Sequence, residues 1–523
     1  MTEAARASRT PFSLICRYAY WLARLQVYKS FLAATILGIL ATLSLPPVHF
    51  WQILYVVFPS LVWLLAGAER RRTAFALGWW FGFGLFSASL YWIGNALLIS
   101  AGGYGWLLPL AFFGLPALFA FYSALATLTA WYGHNHLQRG LLFACAWVFA
   151  EWLRGHLFTG FPWNLIGYSW AQSDEFIQAA SVFGIYGVSL IVVLSATLPS
   201  VIVDLMSRRI VIALFISITL PAMTWIGGGI RLNMAPAPGT TTVEGVGLRI
   251  VQPSIPQNQK WPLNLRQRNM ERFLDASQKD RPSWITHIVW PETAATFFIE
   301  EDVAMRSAIA AVVPRGGLLL TGGPRRQSVP AKLWNSLIAI DGSGLVVASY
   351  DKTHLVPFGE YIPFRKILPM DKIVHGLIDY SPGDGIKTLR LLGLPPVSVV
   401  ICYEVAFPGQ VMNRADPPAW ILNVTNDAWY GETVGPHQHL AMALVRAVEE
   451  GRPLIRATNT GISAVIDAYG RTIHNLGLNT NGVIDSRLPV AITGATLFAS
   501  SGELGIFFLL FGALLAALLV REK

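Results

Sequence analysis

The run VSVVICYE fills residues 397–404. Val397, Val399, Val400 and Ile401 make four of its first five residues apolar and β-branched, the pattern of a short buried strand. The run ends on Cys402, with Tyr403 and Glu404 directly behind it. Two other runs end in the same way. Ile288-Val289-Trp290 leads through Pro291 to Glu292, and Val346-Val347-Ala348-Ser349-Tyr350 leads to Asp351 and Lys352. Further strand-like runs are GLRIVQ (247–252), THIVWP (286–291), GLLLTGG (317–323), SLIAID (336–341) and WILNVTN (420–426). Helical spacing appears over 265–279 and again over 437–451. The latter puts Leu440, Leu444, Val445 and Val448 on one face and Gly451 at its end. This part of the chain therefore reads as an α/β domain. Sites in open α/β sheets collect at the carboxyl ends of strands, so Glu292, Lys352 and Cys402 are expected to converge.

Their chemistry is complementary. A thiol attacks as its thiolate. A carboxylate in hydrogen-bond reach takes the proton, and an ammonium nearby lowers the thiol pKa and stabilises an oxyanion. Together they suit acyl transfer through a thioester.

Outward from this domain the composition changes near Ile230. Residues 233–242 (NMAPAPGTTT) read as a linker. Over all 523 residues, hydrophobic types make up 54% and charged types only 13%, about half the charge of a soluble domain. Mean hydropathy is +0.48. Apolar stretches of spanning length run at about 30–47, 50–68, 74–99, 105–132, 139–156, 176–203, 209–229 and 502–520. The first two are short, and Pro46-Pro47 joins them. The expected fold is a membrane bundle of about eight helices carrying an α/β domain. Its parts are residues 1–230 with seven spans, a linker over 231–243, the domain over 244–493, and a last span with a basic tail over 500–523.

Charge sets the orientation. The basic N-terminus, the Glu69–Arg72 turn and the Asp204–Arg209 turn are assigned to the cytoplasm. Seven crossings then deliver the α/β domain to the outer side, and the eighth returns the tail. A retained anchor, not a cleaved signal, is expected at the start. The net charge of +9 comes from short clusters such as Arg70, Arg71 and Arg72, which suit lipid headgroups and not nucleic acid. Trp79, Trp80, Trp92 and Trp106 read as interfacial anchors. Cys16 and Cys145 read as buried, inert thiols, and no disulfide is expected.

The strings WPE (290–292), YDKTHLVPFGEYIP (350–363), CYE (402–404) and NDAWYG (426–431) stand in this order. They resemble the nitrilase, or carbon-nitrogen hydrolase, superfamily over about residues 244–493. That resemblance implies an αββα sandwich, with Glu292 as general base, Lys352 as stabiliser of the tetrahedral intermediate and Cys402 as nucleophile. It implies supporting roles for Glu360, which matches the superfamily's second glutamate, and for Tyr403, Glu404 and Asn426. Seven spans, an outward domain and a closing span resemble the apolipoprotein N-acyltransferase family of Gram-negative bacteria. So do Phe161-Pro162-Trp163-Asn164 through Gly167-Tyr168, and Lys260-Trp261 within QNQKW.

This second resemblance implies a two-step transfer. An acyl chain would pass from a glycerophospholipid, typically phosphatidylethanolamine, to Cys402, and then to the α-amine of an S-diacylglyceryl cysteine at a lipoprotein N-terminus. It implies a monomer in the bacterial inner membrane with its catalytic domain in the periplasm, and no cofactor. Trp261 and Trp429 would contact substrate. Tyr430 stands where the family has Phe.

Other readings are weaker. His437 and His439 open a helix, where positions i and i+2 diverge, so no metal site is expected. Gly316-Gly317 and Gly322-Gly323 read as turns flanking a strand. Arg446, Glu449 and Arg456 read as one structural ion-pair network. A membrane-tethered amidase and a non-enzymatic scaffold are the rival functions.

Overall fold

The computed structural model describes residues 13–99, 104–204, 208–363, 365 and 378–520. The expectations for Arg6, Arg9 and the tail 521–523 lie outside them, as do parts of the loops at 100–103 and 205–207. The chain divides into two compact units. One comprises Met1–Gly94, Leu107–Arg231 and Ser501–Lys523; the other comprises Asn95–Trp106 and Leu232–Ser500.

The first unit is helical. Among the described residues of the chain, four stretches are long and apolar enough to cross a membrane: Val27–Ser44, Tyr104–Trp131, Ala180–Asp204 and Ile210–Asn233. Arg71–Ser89 with Ile93–Ile99, bent by 46°, makes a fifth if the pair is one span. Trp51–Ala66 and Leu504–Leu519 are apolar but shorter. Helix His136–His156 is outside the set, and it carries Arg139, Glu151 and Arg154. A further helix, Ser13–Ala23, forms within the basic N-terminal stretch and buries Cys16, Ala19 and Leu22. Trp92 is buried, and its ring packs 4.9 Å from that of Trp163. Cys145 is buried as well.

Among the described residues, the second unit holds twelve strands in two sheets. The first sheet has the order β12-β1-β2-β3-β4-β5, with β1 Thr242–Gln252, β2 His287–Val289, β3 Leu318–Gln327, β4 Lys332–Asp341, β5 Val346–Asp351 and β12 Gly482–Pro489. The second has the order β11-β10-β9-β8-β7-β6, with β6 Thr388–Leu389, β7 Val397–Ile401, β8 Trp420–Thr425, β9 Leu454–Thr458, β10 Ser463–Ile466 and β11 Thr472–Leu476. Successive side chains of a strand point to opposite faces. Val397, Val399 and Ile401 of β7 and Leu422 and Val424 of β8 accordingly join Leu248, Ile250 and Val289 in one core shared by both sheets. The alternate residues face outward onto helices. Val251 and Ile288 pack with Met270 and Phe273 of α1 (Arg266–Gln278) and Ile309 of α2 (Val303–Ala310). Val400 and Ile421 pack with Ala443 and Ala447 of α3 (Gly435–Glu450).

Strand direction explains the site. β1, β2 and β3 are parallel, β4 runs against β3, and β5 runs against β4. The carboxyl ends of β2 and β5 therefore share an edge with the start of β4. In the second sheet β7, β8 and β9 are parallel. Gly322 and Gly323 lie inside β3, not in a turn. A Cβ on Gly322 would fall 2.6 Å from the Glu292 Cα and 2.4 Å from the Thr293 nitrogen. A glycine here lets the Glu292 backbone cross the strand closely.

Candidate active site

Glu292, Lys352 and Cys402 lie at strand ends, close enough for their charges to act on one another, and they are 7%, 1% and 6% exposed. Cys402 follows β7 directly and opens a short helical turn, Cys402–Ala406. Its φ is +53°, a left-handed conformation that costs a non-glycine residue about 1–2 kcal/mol. The Glu404 carboxylate holds this bend. It accepts hydrogen bonds from the Ile401 nitrogen (2.7 Å), the Thr353 nitrogen (2.6 Å), the Thr353 hydroxyl (2.8 Å) and the His354 nitrogen (3.1 Å). One side chain thus ties the Cys402 turn to the loop that follows Lys352. The Tyr403 ring packs near His354 and Phe407.

Glu360 is fully engaged. Its Oε2 meets Lys352 Nζ at 2.8 Å and the Val356 nitrogen at 2.8 Å, and its Oε1 accepts from Asn335 at 2.9 Å. Asn335, from the start of β4, also donates to Glu292 Oε1 at 2.7 Å. Glu292 Oε2 is buried and, among the described residues, has no hydrogen-bond partner. The two glutamates thus differ in what they can do. Glu360 neutralises the lysine, and Glu292 keeps an oxygen free to accept a proton.

The electrostatics follow from burial. Burial pushes the Glu292 carboxyl above its ordinary range; Glu360 adds to this, and Lys352 pulls the other way. Burial alone would lower Lys352, but the partners around it, Glu360 before all others, outweigh it and hold the ammonium charged. The Cys402 thiol is pushed up to about 12, first by burial and then by Glu292. Lys352 pulls the thiol down, as expected from the sequence, but does not win. The resting thiol is therefore neutral, and attack requires a base that removes its proton in the reaction itself.

Four residues that the sequence reading did not single out for this site belong to its surroundings. Asn335 bridges the glutamates. Lys260 is buried, and its Nζ donates to the Glu292 carbonyl at 3.1 Å. Burial lowers this ammonium to about 8, against the pull of Glu292 and Cys402. Asp427 and His439 lie behind Cys402. Asp427 Oδ1 is 2.8 Å from His439 Nδ1, and His439 Nε2 is 3.1 Å from the Cys402 carbonyl oxygen. Arg456 does not join Arg446 and Glu449, which pair with each other at 2.9 Å. It donates to Asp427 Oδ2 at 2.7 Å and also binds Asn423, because β9 delivers it beside β8.

Asn426 holds a loop in place. Its amide donates to Gln257 Oε1 at 2.8 Å, and its oxygen accepts from Asn459 at 3.2 Å. Gln257 lies in the QNQK turn that carries Lys260 and leads to Trp261. Trp261 and Trp429 are half-buried. The Trp429 carbonyl accepts from Asn95 at 3.2 Å.

Comparison with known proteins gives these residues a context. Residues 37–198 match the family described as the apolipoprotein N-acyltransferase N-terminal domain, and residues 248–496 match the carbon-nitrogen hydrolase family. The apolipoprotein N-acyltransferase of Rhodopseudomonas palustris is 39% identical over 91% of this chain and 92% of its own. That of Rickettsia prowazekii is 34% identical over 95% of this chain and 100% of its own. Among solved structures, an amidase from Nesterenkonia sp. AN1 is 21% identical, with a TM-score of 0.37, and covers 51% of this chain and 98% of its own. With both matched regions in order and relatives of this identity along nearly the whole length, the chain belongs to the apolipoprotein N-acyltransferase family.

Proposed function

We propose that the chain transfers a fatty acyl chain from a glycerophospholipid to the N-terminal amine of a diacylglyceryl apolipoprotein, through a thioester on Cys402. The observation that carries this reading is the free, buried Oε2 of Glu292 in a site where Glu360, and not Glu292, pairs with the Lys352 ammonium at 2.8 Å. Glu292 takes the thiol proton as Sγ attacks the ester carbonyl. Lys352 and the Tyr403 backbone N–H stabilise the oxyanion. The C–O bond breaks, Glu292 returns its proton to the leaving alkoxide, and a lysophospholipid departs. The acceptor amine then attacks the thioester and gives up a proton to Glu292; the C–S bond breaks, and Glu292 passes that proton to the departing Cys402 sulfur, which restores the thiol and the carboxylate. Glu360 neutralises Lys352; Glu404 and Asn426 hold the loops; Trp261 and Trp429 line the path of the substrates.

The proposed architecture is an αββα sandwich over 244–493, reached through a linker at 231–243, with seven spans before it and an eighth over 500–523. The short helices Trp51–Ala66 and Leu504–Leu519 and the polar helix His136–His156 fit spans that pack against others, where charged side chains find partners. The chain would act as a monomer in the bacterial inner membrane, its catalytic part in the periplasm, with phosphatidylethanolamine as donor.

The test is intact-protein mass spectrometry after incubation with phosphatidylethanolamine in detergent. The expected result is one acyl adduct, labile to hydroxylamine and absent from Cys402→Ala. No adduct on folded enzyme would turn the reading toward a tethered amidase and small amide substrates.

A further inference from the structure

The His-x-His pair at 437 and 439 has no part in the scheme above, yet His439 is fully buried directly behind the nucleophile. Its Nε2 faces a carbonyl oxygen, that of Cys402, at 3.1 Å. A carbonyl only accepts, so Nε2 carries the hydrogen. The other ring nitrogen lies 2.8 Å from Asp427 Oδ1, to which it donates when the ring is charged, and 3.1 Å from Arg456, from which it accepts when the ring is neutral. Asp427 is itself held by the Thr425 hydroxyl at 3.1 Å and by Arg456 at 2.7 Å. Asn423 ties the same group to the nucleophile strand, through the Val400 carbonyl at 3.0 Å. A chain of fixed groups therefore ends on one peptide oxygen.

That peptide is the one between Cys402 and Tyr403. A trans peptide is planar, and its C=O and the following N–H point in opposite directions. A donor that grips the Cys402 oxygen thereby sets the direction of the Tyr403 N–H. It also draws electron density toward the oxygen, which makes that N–H a stronger donor. Cys402 sits in a strained left-handed conformation, where the plane of this peptide needs such a restraint. We infer that His439 is a positioning residue that orients and polarises the Cys402–Tyr403 peptide, so that the Tyr403 N–H is aimed at the oxyanion formed at Cys402. This rests on the reading of Cys402 as an acyl-accepting nucleophile.

Two conservative variants separate this role from simple packing. In His439→Gln the amide nitrogen occupies the place of Nε2 and keeps the donor. In His439→Asn it occupies the place of Nδ1, keeps the Asp427 partner and loses the Cys402 carbonyl. Two reactions of Cys402 are followed by mass in each. Acylation by a p-nitrophenyl ester passes through an oxyanion, and alkylation by iodoacetamide does not.

The expected result for the Asn variant is acylation slowed about 10- to 100-fold, the scale of a lost oxyanion donor, with alkylation within about threefold of native. The Gln variant should keep both within about threefold. Native-like acylation in the Asn variant overturns the inference, as does a parallel fall in acylation and alkylation. If the Asn variant does not fold, the Gln variant decides, and an acylation loss beyond about tenfold overturns it. A native enzyme acylated by the p-nitrophenyl ester but not by phosphatidylethanolamine refutes the proposed donor and leaves this ranking intact. A native enzyme that the ester does not acylate overturns this inference together with the assignment of Cys402.

Discussion

The two sheets of the catalytic unit bring similar charges to Cys402 and use them in opposite ways. The first sheet contributes Glu292, Glu360 and Lys352, bridged by Asn335. The second contributes Asp427, Arg456 and His439. All six ionisable side chains are buried. In the first group the ion-pair contact among the described residues goes to Glu360, and Glu292, raised in pKa by burial, keeps one oxygen free. In the second, burial pushes Asp427 up, but Arg456 and His439 outweigh it and hold the carboxyl down at about 2. A buried carboxylate is thus a base or a strut according to how completely its partners occupy it. The comparison predicts that matched carboxylate-to-amide changes have crossed effects, one on rate and the other on stability.

The largest effect is expected on the first sheet. Glu292→Gln should slow formation of the Cys402 acyl adduct by about 10²- to 10⁴-fold, the scale of a lost general base. Its thermal unfolding in detergent should match or exceed native, because a buried carboxylate with an unpartnered oxygen is replaced by a neutral amide. An equal loss of rate and stability would erase the distinction between the sheets.

The second sheet should answer in the other currency. Asp427→Asn leaves the Arg456 guanidinium buried without its counter-charge, a change that costs about 3–5 kcal/mol in buried pairs. Denaturant unfolding of the catalytic unit should move to lower midpoints accordingly. Lys352→Met should show both effects, since it removes the oxyanion partner and strands Glu360.

The same contrast explains what could be read from the chain. Glu292, Lys352 and Cys402 each end an apolar run, and sheet direction brings them to one place. The helices at 266–278 and 435–450 followed from spacing and, for the second, from Gly451, whose φ is +63°. Strands β9 to β12 were harder to see. Arg456 interrupts the apolar run of β9, and β11 (THNL flanking Ile473) is mostly polar because it is an edge strand. The group behind Cys402 was missed for a related reason. Asn423, Asp427 and Arg456 are polar residues in or beside buried strands, and only partners could make that tolerable. That was the available signal, but the partners lie 29 and 33 residues apart and are joined only by strand pairing. The membrane helices failed differently. Length and hydropathy mark Ala180–Asp204 plainly, but they do not separate a short or charged span from a buried helix.

The smallest effect should sharpen the comparison most, because it concerns the direction of a titration and not a loss. As the proposed base Glu292 works as the carboxylate, so acylation should fall as pH drops through its folded pKa. That pKa is raised by burial and by Glu360 and lowered by Lys352 and, last in size, Lys260. Removing Lys260 takes away a lowering influence, so Lys260→Met should move the acid limb of acylation to higher pH. Removing the Glu360 charge takes away a raising influence, and Glu360→Gln should move the limb to lower pH. Asn335 donates to both glutamates and stays in place in both variants. Its hydrogen bond therefore cannot account for opposite shifts. Limbs that move together, or not at all, would mean that Glu292 is not the titrating base and that the first sheet holds its carboxylates as rigidly as the second.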